Sequence, residues 1–383
     1  LKSIVKIIHC FRSIRRERFD FHGNLEQEQP MARPGELISS SIDIADNSPE
    51  SVFQFMIDQD WSDGLPVIPP TADRVQAMLD YAQQDASELV GYINPDAGSA
   101  TVEKIAVNAV MAGCLPEYMP VLIAAVQAIT EPSFNIHGLQ TTTNPVSPLL
   151  IVNGPVRETI GLNSGRGTLG PGFRANATIG RAIRLLLLNI GGAKPWTTDM
   201  AIHGMPGKFA FCMGENEEES DWSPLHVERG FSPDQSAVTV VGAQGTSNCL
   251  TFYKEAESIL TMVASAMTDI SDNNYLLAGG NPVVIFSPGH TRLFTEQGYT
   301  KQSVKEWLFE HSKVPLEQFP KETSVISYEE GFAMDGDLVC PCARAEDIIL
   351  LVGGGPEPYH VAYCGNFGDT KAVTKAIDIP AAN

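Results

Sequence analysis

Between Pro148 and Gly192 the chain reads PLLIVNGPVRETIGLNSGRGTLGPGFRANATIGRAIRLLLLNIGG, and this stretch restricts the fold more than any other. Leu149 to Val152 form an apolar run too short for a helix, stopped at once by Asn153-Gly154-Pro155. That pattern predicts a buried strand ending in a tight corner. A loop with Gly161, Gly165, Gly167, Gly170 and Gly172 follows, interleaved with Arg157, Arg166 and Arg174. Asn176 is placed to cap the next helix, where Ile179, Ala182, Ile183, Leu186 and Ile190 recur at helical spacing and Gly191 ends the run. Loop amides, a helix N-terminus and arginines together suit a small anion. The loop carries neither GxxxxGK[ST] nor GxGxxG, and tight turns alone also account for its glycines.

The pattern returns further on. Pro282 to Phe286 is another apolar run, ended by Ser287-Pro288-Gly289-His290 and followed by Thr291-Arg292, a loop around Gly298 and a helix from near Thr300. An apolar helix precedes each copy, Pro116 to Ile129 and Glu255 to Ile270. A third run, Ile348 to Val352, ends in Gly353-Gly354-Gly355-Pro356. Alternation of this kind predicts an α/β protein with layered, largely parallel sheets and an internal duplication of helix–strand–loop–helix modules. Ligands on such sheets bind at the carboxyl ends of strands. Asn153, Gly154, Arg157, Arg174, Arg292, Gly353, Gly354 and Gly355 are therefore the candidate residues for holding a small anionic molecule.

With 383 residues, 43% of them hydrophobic and 19% charged, the chain can bury a sizeable core. Its net charge of −20 excludes non-specific binding to nucleic acid or to an anionic membrane. In so acidic a chain an anionic substrate needs a local cluster of arginines. No run approaches the ~18 apolar residues of a spanning helix. The first 30 residues carry six Lys or Arg against four Asp or Glu, and Met31 opens MARPGELISS like a start. Residues 1–47 are thus expected to be an extension and linker, 48–245 a first α/β half with inserted strands, and 246–383 a second half. Seven scattered cysteines predict reduced thiols in a cytoplasm.

Three sites invite chemistry. Cys114, in the joint Ala112-Gly113-Cys114-Leu115-Pro116-Glu117, precedes a predicted helix whose dipole would favour a thiolate, so Cys114 is a candidate nucleophile with Glu117 beside it. A small buried thiol filling a helix joint is the competing reading. His290 is a candidate general acid/base or else a turn residue. His226 and Glu228 would share a face on a strand, but no third ligand follows in a metal-site pattern. Cys340-Pro341-Cys342 offers a close thiol pair without the CxxC spacing, and Glu217 to Glu219 read as a solvated acidic loop.

WSDGLPVIPPT, NAVMAGCLPEYMPVLIAAV, NPVSPLLIVNGP, GFRANATIGRAIRL and SPLHVERGF together resemble a family of bacterial proteins named after a U-G-S-C motif, a selenocysteine or cysteine redox site. The similarity covers about Trp61 to Ile377, yet the chain holds no [UC]-G-S-C of its own. Two expectations follow. One is a thiol-dependent enzyme, redox or lyase in type, acting on a small anion at the Gly/Pro corners. The other, implied by the resemblance, is a non-catalytic subunit that binds ligand or a UGSC-type partner carrying the redox motif.

Overall fold

The computed structural model describes residues 4–9, 37–276, 279–321 and 333–380. Strand β1 (Val5–His9) pairs antiparallel with β2 (Ser40–Ile44) and puts Ile7, Ile8 and Ile44 into the core. The buried Glu103 carboxylate holds the start of this arm by accepting from the amides of Ile38 and Ser39 and from the Ser39 hydroxyl. Most of the expected N-terminal extension, including Cys10 and Met31, lies outside the described residues.

Local signals account for the first helices. Ser48 caps α1 (Pro49–Asp58), with proline at the first position where a missing N–H costs nothing. α2 (Ala72–Ala82) and the hairpin β3 (Leu89–Ile93) and β4 (Gly98–Thr101) lead to α3 (Val102–Ala112), capped by Thr101. A single 3₁₀ turn, Pro116–Tyr118, separates it from α4 (Met119–Ile129), and α5 (Ile136–Thr141) follows.

Taken in two stretches that divide at 254 and not at the expected 245, the chain first runs β5 (Ser147–Asn153), α6 (Val156–Thr159), α7 (Arg174–Asn189), β6 (Cys212–Gly214), α8 (Leu225–Glu228), β7 (Ala237–Ala243) and β8 (Ser247–Leu250). The second runs α9 (Ala256–Met267), α10 (Asn273–Leu276), β9 (Val283–Phe286), α11 (Pro288–Glu296) and α12 (Lys301–His311). A small sheet of β10 (Val314–Pro315), β11 (Met334–Asp335) and β12 (Leu338–Val339) precedes β13 (Ile349–Val352), β14 (His360–Cys364) and β15 (Val373–Ala376).

Two four-stranded sheets form the centre, ordered β6-β5-β7-β15 and β13-β9-β14-β8. In each, the first pair is parallel and the next two are antiparallel. The sheets are therefore mixed, and the expected largely parallel arrangement holds only for β5 with β6 and β9 with β13. The strand–helix units produce those parallel pairs, whereas β7 and β14, the next strands after β6 and β13, cross to the far side of β5 and β9 and run the opposite way.

The outermost antiparallel strand of each sheet comes from the stretch that builds the other sheet. β8 follows β7 but pairs with β14, and β15 follows β14 but pairs with β7. The two crossing segments meet in a reciprocal bridge at Ala243 and Asn366, where Gln244 N–H donates to the Gly365 carbonyl (2.9 Å) and Phe367 N–H to that of Gly242 (2.7 Å).

Side-chain alternation along the strands sets the layers. Leu150, Val152, Val238 and Val240 face α3, α4 and α7, while Val284, Phe286, Leu350 and Val352 face α9, α11 and α12. The intervening residues Leu149, Ile151, Met213, Val241, Ile285 and Leu351 pack between the sheets. The result is an α/β protein of four layers, helices on sheet on sheet on helices. Among the described residues no helix is long and apolar enough to cross a membrane.

Candidate functional site

At the end of β5, Gly154 has φ +82°, and a Cβ there would lie 2.3 Å from the Gln235 carbonyl oxygen, so only glycine fits. The turn aims its N–H at Glu217 Oε1 (2.8 Å), which also accepts from Asn153 Nδ2 (2.9 Å). Asn153 Nδ2 donates to Glu215 Oε2 as well (2.7 Å). Arg157, 3% exposed, donates through Nη2 to Glu218 Oε1 (2.7 Å), through Nε to the Gly154 carbonyl (3.1 Å) and through Nη1 to the Glu215 carbonyl. Its guanidinium holds the Glu218 carboxyl below the usual carboxylate range. Of the acidic loop only Glu217 folds into the corner, beside the buried Glu215, while Glu218 is half-exposed and Glu219 exposed, as expected of a solvated loop. Asn153, Gly154 and Arg157 do come together around an anion, but the chain itself supplies that anion.

The glycine loop is pinned by Asn176, which does not cap α7. The helix begins two residues earlier, behind Phe173. Asn176 Oδ1 instead accepts from Asn163 N–H (2.9 Å), and its Nδ2 donates to the carbonyls of Asn163 (2.8 Å) and Thr168 (3.1 Å). The loop so held reaches the second half, where Gly354 N–H donates to the Ser164 carbonyl (3.0 Å). Arg166 there pairs with Glu357 (2.6 Å). Arg174 turns away to the Gly113 carbonyl (3.0 Å).

Cys114 lies in the joint after α3, in the neighbourhood of Arg174 and Tyr118 rather than at either corner. Its Sγ donates to the Thr178 carbonyl (3.3 Å), and burial pushes the thiol up to about 12 against the weaker pull of that bond and of Arg174 and Arg181. The dipole expected to favour a thiolate is missing because only a 3₁₀ turn starts at Pro116. Glu117 occupies that turn, with Oε2 buried and without a hydrogen-bond partner among the described residues. Burial also raises the thiols of Cys340, Cys342 and Cys364, and the six described cysteines are all free. His226 and Glu228 sit on one helical turn, α8, so the shared strand face does not exist.

His290 is fully buried at the start of α11, with Nδ1 2.7 Å from Ser287 Oγ and Nε2 2.8 Å from Thr251 Oγ1. Burial lowers it to about 4, so the ring is neutral at physiological pH. Nδ1 also accepts from the Ser287 amide, which completes a capping box and assigns the ring proton to Nε2. Arg292, one residue past Thr291, is exposed, with Nη2 3.5 Å from the Pro356 carbonyl.

Strand register relates the two corners. Ile151 lies opposite Met213 and Thr239, and Ile285 opposite Leu351 and Ala362. Correspondingly, Glu215 N–H donates to the Val152 carbonyl and Gly353 N–H to that of Phe286. Asn153 therefore matches Ser287, and Glu215-Asn216-Glu217 match Gly353-Gly354-Gly355. Arg157 matches Thr291, not Arg292, so the expected pairing of the two arginines is off by one residue. Where the first corner is filled by carboxylates, the glycines of the second leave a cavity of about 590 Å³, lined also by Arg166, Ser287, Tyr359 and His360.

Arg166, Ser287, Tyr359 and His360 were not singled out as site residues by the sequence. Arg166 was visible in the glycine loop, but nothing local says that the loop crosses to the other half. No protein-family model matches the chain, and no curated protein matches it either.

Proposed function

We propose that this chain binds a small anionic molecule in the cavity at the second corner, between two halves related by an internal duplication. The duplication is supported by the shared strand order and directions of the two sheets and by the reciprocal bridge at Ala243 and Asn366. The binding reading is carried by one observation. The segment after the parallel strand is Glu-Asn-Glu in one half and Gly-Gly-Gly in the other, and the space so left is faced by Arg166.

A ligand-holding subunit fits this geometry better than a thiol-dependent enzyme. Cys114 and His290 occupy separate places, the thiol is protonated at neutral pH, and both ring nitrogens of His290 are engaged. The resemblance to UGSC-motif proteins supports a companion role in which a partner carries the redox group. Free, buried cysteines suit a reducing cytoplasm.

The test is a thermal-unfolding screen with small carboxylates and oxyanions. A ligand of the folded state raises the midpoint in proportion to the logarithm of its concentration. At least one anion should do so in the wild type and lose the effect in Arg166→Gln. If no anion shifts the midpoint at millimolar concentration, the reading fails.

A further inference from the structure

The first corner works as a template for what the second lacks. There, the Glu217 carboxylate takes the Gly154 amide and Asn153 Nδ2 at 2.8 and 2.9 Å. Register places Gly355 at the point corresponding to Glu217, with no side chain to offer. A Cβ built on Gly355 would lie 3.1 Å from Arg166 Cζ and 2.9 Å from Glu357 Oε2. The guanidinium of Arg166 therefore stands beside the place where the other half keeps a carboxylate, and Ser287 stands where Asn153 donates. Proline at 288 removes the amide corresponding to that of Gly154, so Arg166 has to be the principal donor.

The opposite side of the same cavity is aromatic. Tyr359 and His360 line it, and the Phe252 ring packs against both, with centroids 4.9 and 5.8 Å away. Aromatic walls favour a flat, unsaturated body through stacked or edge contacts. The head group is also restricted. Arg166 already pairs with Glu357 at 2.6 Å, so a dianion such as phosphate would be placed against a carboxylate in a chain of net charge −20. A monoanionic carboxylate meets Glu357 with half that charge, and the guanidinium, whose Nη2 donates to Glu357, has Nε and Nη1 to offer its two oxygens.

We infer that the ligand of the second corner is an aromatic carboxylate, its carboxylate on Arg166 in the position Glu217 fills in the first corner and its ring against Tyr359 and His360. This rests on the anion-binding reading above and narrows it to one chemical class.

Titration calorimetry of the full chain with benzoate, benzamide, acetate and inorganic phosphate tests it, repeated on Arg166→Gln. Benzoate should bind about tenfold or more tighter than neutral benzamide and than ring-less acetate, with phosphate weakest. In Arg166→Gln the advantage of benzoate over benzamide should vanish. Because Arg166 is exposed, that variant keeps its fold, and the comparison among ligands on the same variant controls for any loss of stability. Equal binding of benzoate and benzamide, or of benzoate and acetate, overturns the inference. Phosphate binding more tightly than benzoate also overturns it while leaving an anion site in place. Binding by none of the anions removes both.

Discussion

Replacing Arg157 by alanine separates two roles that the sequence leaves open, a ligand-binding arginine and a structural one. The side chain is 4% exposed and pairs with Glu218 at 2.7 Å and Glu217 at 3.2 Å, besides two backbone carbonyls. Its removal leaves two carboxylates and the Glu215 carbonyl facing a cavity without a cation. Glu218 is half-exposed and can turn to water, so the loss falls on Glu217 and the two backbone carbonyls and is about 1–3 kcal/mol, still a notable share of the ~5–15 kcal/mol that holds a domain folded. Urea unfolding followed by tryptophan fluorescence reports it well, because Trp222 lies buried just beyond the acidic loop and stacks on Phe294 at 6.0 Å. The loss should also depend on pH. With its folded pKa held below 4.5, Glu218 contributes stability that is fully present above that value and fades as pH falls through the lower folded one. Wild type and Arg157→Ala should therefore converge in acid. A variant whose stability stays within about 0.5 kcal/mol of wild type, as is usual for surface changes, would refute this account of the corner.

Other consequences are open to the same kind of measurement. His290, lowered to about 4 from 6.5, binds a proton more readily unfolded than folded, so its contribution is complete above pH 6.5 and lost on descent toward 4, on the order of 3 kcal/mol in all. NMR of the native chain should show no titration of this ring between pH 5 and 8, and His290→Gln should flatten the stability slope below pH 6.5; a ring titrating near 6.5 would contradict both. Cys114 should resist iodoacetamide in the native state and react only as fast as the chain unfolds, and Cys114→Ser should leave anion binding unchanged; alkylation within minutes at neutral pH would restore the thiol as a reactive group. Fragments cut between Lys254 and Glu255 should each fail to fold alone and recover native circular dichroism on mixing, because each lacks a strand of its own sheet; independent folding of either half would contradict the exchange of β8 and β15.

Much of the framework is readable in one dimension because its causes are local. The strands at 147–153 and 283–286 announce themselves by apolar runs cut off at Gly/Pro corners, and Ser48 and Thr101 cap the helices that follow them. The errors arise where a side chain works at a distance. Asn176 looks like a cap but reaches back thirteen residues to Asn163, and Glu217, at the start of an otherwise exposed acidic run, folds more than sixty residues back onto Asn153. Similarly, Arg157 and Arg292 look paired until register shifts one of them by a position. The cavity itself depends on aligning Glu-Asn-Glu with Gly-Gly-Gly, which short motifs of such different composition cannot suggest. The mixed sheets were obscured because β7 and β14 pair with strands other than the ones they follow, so their direction leaves no local trace in the sequence.

The crossing of β8 and β15 has a mechanical consequence. A two-domain binding protein opens by rotating its lobes about a flexible connection, but here each lobe carries a strip of the other, laced through the backbone bridge at Ala243 and Asn366. Rotation would have to strip an edge from both sheets at once. The Arg166–Glu357 pair, which ties the glycine loop to the turn after Gly353–Gly355, is by contrast exposed on both sides and can part without disturbing either sheet.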